Sequence, residues 1–485
     1  MAPKEIGSCT GYLELMPHKT ITLLDLIRIL CSSNNSLANQ EFIDVSESHH
    51  LQGLEIRWII FLSLFAQKIL LYLKKPMVWT RDVIEMWLNL LSSNGEYQKQ
   101  LSTQAIMFKD TTSSPNLIVV AFRGTEPFDA DQWRTDVDFS WYDIEGVGKI
   151  HSGFLKALGL HKKTGWPKDI IDDGSGQEYA YYTLKEKLKK ELKKDKDVKF
   201  IVTGHSLGAA LAILFVAGLV LHEEEELLES LDWVYTYGQP RVGNEQFGDW
   251  MGEKMRIHDV KYLRYVYCND LVPRVPYDDQ TNSLYKHFGP CLWVNSFYKG
   301  KVVWEEPDKN YFSLLWAIPK ILNAVWELIR SFIIPYIYGP DYKESWFMKL
   351  VRVFGLLIPG LSAHCPQDYD NATRLGSFPP EILIQQVLNG SVVKPDKSSA
   401  KFVSVLGCID TRVQLDKSIK TTDNRYCATL SIMASKLAYK YQAFAQAVIT
   451  DRPLEDGSFG VVQLLECKKI IRSSKLVLPS LSVRS

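Results

Sequence analysis

Apolar and polar positions change their pattern along this chain. Between residues 101 and 292, short β-branched and aromatic runs alternate with stretches of helical periodicity. Four of these runs have the length of strands and are bounded by turn-forming residues: LIVVAF (117–122), VKFIVT (198–203), DWVYTYG (232–238) and YLRYVYCND (262–270). Strands that alternate with helices favour a mainly parallel central sheet with flanking helices. The pattern therefore predicts an α/β fold.

An apolar segment precedes this region. Residues 57–76 read RWIIFLSLFAQKILLYLKKP, and their apolar part, 58–73, would span about 24 Å as a helix. That length is short of the roughly 20 residues that a bilayer crossing needs. The segment fits a buried helix, and it fits better a membrane-anchoring hairpin or an interfacial helix.

A second apolar segment, residues 311–361, follows the alternating region. Pro319 and Pro335 interrupt its first half, which predicts that this half is not one continuous span. In its second half Lys349 and Arg352 lie off a stripe of apolar residues at helical spacing: Trp346, Phe347, Leu350, Val351, Phe354 and Leu357. A basic amphipathic helix of this kind fits a membrane surface or core packing.

Charge and cysteine usage narrow the class of protein. Lys plus Arg and Asp plus Glu number 56 each, so no net field attracts the chain to nucleic acid. The eight cysteines show no paired spacing of the metal-site or redox kind, which indicates a reduced, intracellular protein. The N-terminus, MAPKEIGSCTGYLELMPHK, lacks the apolar core of a signal peptide, so we do not expect secretion.

The strongest chemical signal is Gly204-His205-Ser206-Leu207-Gly208. It follows the predicted strand VKFIVT directly and opens the small-residue helix AALAILFVAGLVL. In this strand–turn–helix setting a strained turn exposes a nucleophilic hydroxyl. The backbone N–H of Leu207 and the helix N-terminus then face the negative charge that develops during attack. The motif predicts a serine esterase with Ser206 as its nucleophile.

A serine nucleophile needs a base, and the base needs a carboxylate to orient it. Asp270 ends a predicted strand, and three other acids lack that position: Glu253, Asp259 and Asp278. Downstream of Asp270 the candidate bases are His287 and His364. His287 leads into the predicted strand CLWVNS and is interpreted as structural. His364, in the loop SAHCPQDYDN, is predicted to be the general base.

A second donor to the oxyanion is expected after an earlier strand. AFRGTE, residues 121–126, ends the strand LIVVAF with a flexible glycine, and Thr125 there could supply both its backbone N–H and its hydroxyl. The next stretch, EPFDADQWRTDVDFSW, is rich in aromatic and charged residues. That composition suits a lid over an apolar pocket.

Taken together, these motifs make the chain resemble the class 3 (fungal-type) lipases, and closely the plant oil-body triacylglycerol lipases. The resemblance covers roughly residues 101–376 and rests on VVAFRGTEPFDADQW, TGHSLGAALA, YTYGQPRVGN, CNDLVPRVP and AHCPQDY, in the family's order. It implies an α/β-hydrolase-like fold. It also assigns the nucleophile, the acid, the base and the two oxyanion-hole residues as Ser206, Asp270, His364, Leu207 and Thr125.

The same resemblance implies an activity and a location. It implies hydrolysis of long-chain acylglycerols at a lipid–water interface, through an acyl-enzyme and without a cofactor or metal. The N-terminal apolar segment resembles the part with which these plant lipases associate with lipid droplets. We therefore expect an intracellular protein on a lipid-droplet surface or a membrane.

One segment departs from the family's order. Residues 392–451 resemble a segment that normally precedes the catalytic core, between the positions held here by 92–95 and 103–108. We therefore expect an N-terminal region (1–100), a catalytic domain (101–377) with the apolar insertion, and a displaced segment with its tail (378–485). A helix at about 424–448 is expected to dock beside the sheet, and the chain from about Leu454 resembles nothing we can place.

Two other functions fit the same residues. A phospholipase A1 or galactolipase would use the same triad, because head-group and acyl preference depend on the shape of the pocket and lid. The other possible function is not enzymatic: an inactive protein that binds lipid surfaces. The displaced segment favours it, because a triad held about 1 Å out of place loses most of its rate.

Overall fold

An eight-stranded sheet forms the centre of the molecule in the computed structural model. The strands are β1 (Cys9–Leu15), β2 (Ile43–Val45), β3 (Ala105–Asp110), β4 (Leu117–Phe122), β5 (Trp141–Ile144), β6 (Gly148–His151), β7 (Lys199–His205), β8 (Leu231–Tyr237), β9 (Lys261–Tyr267), β10 (Cys291–Val294), β11 (Gly300–Val303) and β12 (Leu464–Glu466). The structure describes residues 9–16, 21–31, 37, 40–47, 51, 53–91, 105–110, 116–124, 138–160, 179–276, 278, 285–309, 311, 314–377 and 464–466.

The central sheet has the strand order β11-β10-β9-β8-β7-β4-β3-β12. From β4 to β10 its neighbouring strands run parallel, while β3 and β11 are antiparallel to their neighbours β4 and β10. All six residues of β4 are buried, as expected for a strand covered on both faces. The predicted mainly parallel α/β fold is thereby confirmed, and each of the predicted strands is present.

Helices cover this sheet and extend from it. They are α1 (Leu23–Cys31), α2 (Leu54–Leu91), α3 (Ser152–Leu158), α4 (Ala180–Lys194), α5 (Leu207–Leu221), α6 (Glu225–Ser230), α7 (Glu245–Ile257), α8 (Ala317–Tyr338), α9 (Trp346–Phe354), α10 (Pro359–Ala363) and α11 (Pro366–Leu375). Every residue of α5 is buried, and its sequence is apolar on all sides, as a helix inside a core must be. Packing against β7 fixes the N-terminus of α5 at the end of that strand.

A smaller sheet joins the first strands of the chain to β5 and β6. Its order is β2-β1-β5-β6, so β1 pairs with β5 across a long stretch of sequence. One side of helix α2 packs on the apolar core beside this smaller sheet, through Ile56, Ile60 and Leu64. It contains Pro76 and continues beyond the predicted segment to Leu91. Among the described helices, the stretch Ile56–Trp79 alone has the length and hydropathy to cross a membrane.

The apolar insertion differs from its prediction at the two prolines. Both lie inside one helix, α8, with Pro319 in its first turn and Pro335 in its last. A proline in the first turn costs no hydrogen bond, because the N–H groups there have no partner within the helix. Pro335 does lack one helical N–H donor, but the helix continues through it and ends three residues later, so the expectation that Pro319 and Pro335 break this run was wrong. The short helix predicted after it is present as α9.

The displaced C-terminal segment, with its expected helix at 424–448, lies outside the described residues. Of the chain after residue 377, the structure describes β12, which pairs in parallel with β3 at the edge of the central sheet. The division into three parts stays a prediction.

Candidate active site

Ser206 occupies a strained turn between β7 and α5. Its φ of 60° and ψ of −131° are values that residues other than glycine rarely adopt. Its N–H donates to the carbonyl of Tyr237 at 3.0 Å, which ties the turn to the neighbouring strand β8. The predicted position of Ser206 on a sharp turn at the carboxyl end of a strand is what the structure has.

The two flanking glycines leave room for this turn. A Cβ on Gly204 would lie 2.0 Å from the carbonyl oxygen of Gly208, and a Cβ on Gly208 would lie 2.3 Å from that of Phe122. Both neighbours are backbone atoms, so they cannot turn aside as a flexible side chain would. The spacing of the motif is therefore a steric requirement of the turn.

The N-terminus of α5 supplies hydrogen-bond donors beside Ser206. Leu207 is the first residue of the helix, so its N–H has no partner within the helix. The predicted second donor, Thr125, lies outside the described residues. Gly124, which precedes it, lies against the Ser206 turn. A Cβ on Gly124 would lie 3.2 Å from Cβ of Ser206.

Asp270 and His364, which lie far apart in sequence, meet in the structure. Nδ1 of His364 lies 2.9 Å and 2.8 Å from the two carboxylate oxygens of Asp270. Asp270 follows β9, as predicted, and is fully buried. His364 caps the C-terminal end of the short helix α10. An imidazole held this way by Nδ1 presents Nε2 on its other side.

The surroundings of Asp270 favour its ionised form. Burial alone would raise the pKa of this carboxyl group, but the charge and hydrogen bond of His364 lower it, with further hydrogen bonds from Tyr369 and Val272. The Tyr369 hydroxyl donates to Oδ2 at 2.5 Å, and the Val272 N–H donates to Oδ1 at 2.9 Å. The net effect is a pKa below the ordinary value, so the ionised form of Asp270 would stabilise a protonated imidazole beside it.

Arg274 holds the loop that carries Asp270. Its guanidinium is buried and donates to the backbone carbonyls of Cys268, Asp270, Pro307 and Asp308. A guanidinium has five N–H donors in a fixed plane, which suits it to join several carbonyls at once. The loop after β9 is thereby fixed to the segment that follows β11.

Ser206 lies beside the Asp270–His364 pair. Gly238, which follows the Tyr237 that accepts from Ser206, has a φ of +58°, and a Cβ on it would lie 2.9 Å from both Asp270 Oδ2 and His364 Cε1. Within the described residues, Nε2 of His364 is buried and has no hydrogen-bond partner. The structure brings Asp270 and His364 into contact and places Ser206 next to them, but it contains no Ser206–His364 hydrogen bond.

The other predicted candidates lie elsewhere. Glu253 pairs with Arg256 on the exposed side of α7, Asp259 lies in an exposed turn, and Asp278 pairs with Lys309. His287 is buried with Nε2 2.6 Å from the Pro273 carbonyl, which fits its structural interpretation.

Two residues near the site were not singled out from the sequence. Tyr369 donates to Asp270, and His205 contacts the backbone carbonyl of His364 through Nε2 at 2.8 Å and stacks on its ring at 4.5 Å. Both lie in quoted motifs, GHSLG and AHCPQDY. Their position in these motifs, near Ser206 and His364, was the available signal.

The chain is similar in sequence to proteins that are already known. The lipase (class 3) family matches residues 119–280. The triacylglycerol lipase OBL1 of Arabidopsis thaliana is 47% identical over 61% of this chain and 60% of its own length. That of Ricinus communis is 38% identical over 70% of both chains. The chain thus spans 60% and 70% of these two relatives. The solved structure of Rhizomucor miehei triacylglyceride lipase is 26% identical in sequence, and the match covers 41% of this chain and 64% of that one. Its TM-score is 0.32, a value too low to support an inference.

Proposed function

The chain belongs to the class 3 lipase family, and we propose that it is an interfacial serine lipase that hydrolyses triacylglycerols. The observation that carries this proposal is the buried contact between Asp270 and His364 beside the strained Ser206. The two relatives described above are named triacylglycerol lipases, which supports the substrate class. Their name also supports a lipid-droplet or membrane location.

In the proposed reaction, Nε2 of His364 accepts the hydroxyl proton of Ser206 as Oγ attacks the ester carbonyl carbon. The N–H of Leu207, and in the proposal Thr125, donate to the oxyanion of the tetrahedral intermediate. When the bond to the glycerol oxygen breaks, His364 gives its proton to that oxygen, and the acyl group stays on Ser206.

Water completes the cycle by the same steps. His364 accepts a proton from water as it attacks the acyl carbon, and the bond to Ser206 Oγ breaks as that proton passes to the serine. Asp270 stays ionised throughout and stabilises the imidazolium in both halves of the reaction. Its low pKa, which burial opposes and its hydrogen bonds maintain, suits this role.

Fatty-acid release from emulsified triolein by the full chain, beside Ser206→Ala, tests the proposal. We expect the variant to lose at least about 10⁴-fold in turnover, because Oγ forms the covalent bond. Equal rates from the two proteins would contradict it. Phosphatidylcholine and galactolipid emulsions, assayed in parallel, tell a triacylglycerol lipase from a phospholipase A1 or galactolipase. Faster release from either of those lipids would reject the proposed substrate.

A further inference from the structure

Helix α8 reverses the usual positions of charged and apolar side chains in a helix on the surface of a water-soluble protein. It buries Lys320, Glu327 and Arg330 against the protein. The opposite side is apolar and exposed, with Leu322 64% and Tyr336 90% accessible. A helix that faces water has the reverse arrangement, with its apolar stripe toward the core.

The buried charges of α8 are bonded to the catalytic region. Lys320 contacts Asp308 at 2.7 Å. Arg330 donates to Asp368 at 2.5 Å and to the Tyr267 hydroxyl at 2.7 Å. These partners pair the two cations and hold them away from the outer side of the helix. The arrangement is therefore built into the packing.

Helix α9 repeats this arrangement. Arg352 is fully buried and bonds both oxygens of Glu344 at 2.7 Å, with Asp368 at 3.0 Å. On the outer side Trp346 is 81% accessible and Leu350 is 52% accessible. The sequence placed Lys349 and Arg352 off the apolar stripe of this helix. In the structure Arg352 lies off that stripe because its guanidinium is inside the protein.

The two helices together expose one apolar surface, which we call the docking face. It includes Ile318, Leu322, Ile329, Trp346, Leu350 and Leu357. Among the charged side chains that the structure describes between 317 and 361, Lys343 is the exposed one, and Lys349 lies half-buried over the rings of Phe332 and Trp346. An apolar surface of this extent marks an interaction site.

The position of the charges identifies the occupant. In a hydrocarbon environment, charged side chains turn to the protein interior and apolar ones turn outward, as they do here. A protein partner is expected to meet an apolar centre with a polar rim, and these helices supply little such rim. The exposed charge at Lys343 is basic, which suits an anionic or zwitterionic headgroup layer.

We propose that the docking face lies in the outer acyl layer of a phospholipid-covered surface and holds the reaction site against it. This inference rests on the proposed function for its purpose, since a lipase must reach an insoluble substrate. The face ends close to the site, because exposed Leu361 lies three residues before His364. Asp368, which binds Arg330 and Arg352, directly precedes the Tyr369 that contacts Asp270.

The test is flotation of the full chain with phosphatidylcholine vesicles that contain one-tenth phosphatidylserine. The face variant is the triple change Leu322→Gln, Ile329→Gln and Leu350→Gln, all at exposed positions. Ile257→Gln is the matched control, because Ile257 is 57% accessible on α7 and lies off the face. A third protein, Leu62→Gln with Ile69→Gln, tests the exposed side of α2.

We expect the face variant to lose at least about tenfold in vesicle partitioning, with the Ile257→Gln control unchanged. Far-UV circular dichroism and hydrolysis of a soluble short-chain ester should not change, because none of these residues touches the reaction site. Unchanged vesicle binding would overturn the proposal. So would loss of binding in the α2 variant alone, or a dimer in sedimentation that the face variant converts to monomer without any change in binding.

The same vesicles separate this inference from the proposed function. Ser206→Ala should bind them as the wild type does, because docking needs no hydrolysis. If the wild type binds through the face and releases no fatty acid from any lipid, the proposed function fails and the docking face stands. If it releases fatty acid and the face variant binds equally well, the docking face fails and the proposed function stands.

Discussion

The two halves of the candidate site are held in different ways. Ser206 is positioned by backbone sterics within five consecutive residues, where Gly204 and Gly208 leave space for carbonyl oxygens. Asp270 and His364 are positioned by buried hydrogen bonds and charges from segments about a hundred residues apart, among them Tyr369 and Arg274. A local motif therefore defines the proposed nucleophile, whereas the proposed base and acid depend on how distant parts of the chain fold together.

A change in the Asp270–His364 pair should lower turnover while the protein stays folded. We expect Asp270→Asn to lower kcat about 10⁴-fold, because an amide cannot hold the imidazole in the required tautomer or stabilise its charged form. Hydrolysis of emulsified triolein measures this, and thermal unfolding shows that the protein is still folded. Asp259→Asn is the control, since Asp259 is exposed on a turn with φ of 51°, which asparagine also tolerates. Unchanged turnover in Asp270→Asn would move the role of the acid to another carboxylate.

A change in the glycines around Ser206 should disturb the local backbone and abolish activity together. Gly204→Ala puts a Cβ within 2.0 Å of a carbonyl oxygen, so we expect it to destabilise the protein by about 1–3 kcal/mol and to abolish activity. The matched control is Gly252→Ala inside α7, where a Cβ meets nothing within 4 Å. That change should stabilise the protein by about 0.5–1 kcal/mol. Urea unfolding of both proteins measures the two signs, and a neutral Gly204→Ala would show that the turn can relax.

This difference explains what the sequence could and could not predict. The parallel strands and the Ser206 turn follow from contiguous patterns, and both were predicted. Asp270 and His364 were chosen by strand position and chain order, and the structure brings them into contact. Arg352 was placed off an apolar stripe, but the side of the helix that faces the protein was left open, because periodicity alone does not tell whether the medium outside a helix is water or lipid. Its burial became visible once the partners Glu344 and Asp368 were known.

The helix prolines show a second limit of the same kind. Pro319 and Pro335 were expected to break a helix, and they lie in the first and last turns of α8. A proline is costly where its missing N–H and its ring disturb the helix interior, and it is tolerated in the first turn. The boundaries of the helix decide which case applies, and a uniformly apolar run does not reveal them.

The smallest expected effect concerns Tyr369, which we propose as a positioning residue for Asp270. Its hydroxyl donates to Oδ2 of Asp270 and accepts from the N–H of Tyr267 at 3.2 Å. Tyr369→Phe removes one of the hydrogen bonds that keep the Asp270 pKa low, so that pKa should rise toward its ordinary value. We expect kcat to fall about tenfold with KM unchanged, because one hydrogen bond to a charged group is lost.

The pH dependence of stability tells positioning from packing in this variant. A carboxyl group whose pKa is lowered by folding contributes stability above its unfolded pKa, and this contribution is lost as the pH falls through the folded value. The difference in unfolding free energy between wild type and Tyr369→Phe should therefore be full above about pH 4 and shrink below it. Tyr72→Phe, at a site 71% accessible on α2, should show no difference at any pH. A constant difference for Tyr369→Phe would mean that the hydroxyl only fills space, and that the charged half of the site is held by the remaining contacts of Asp270.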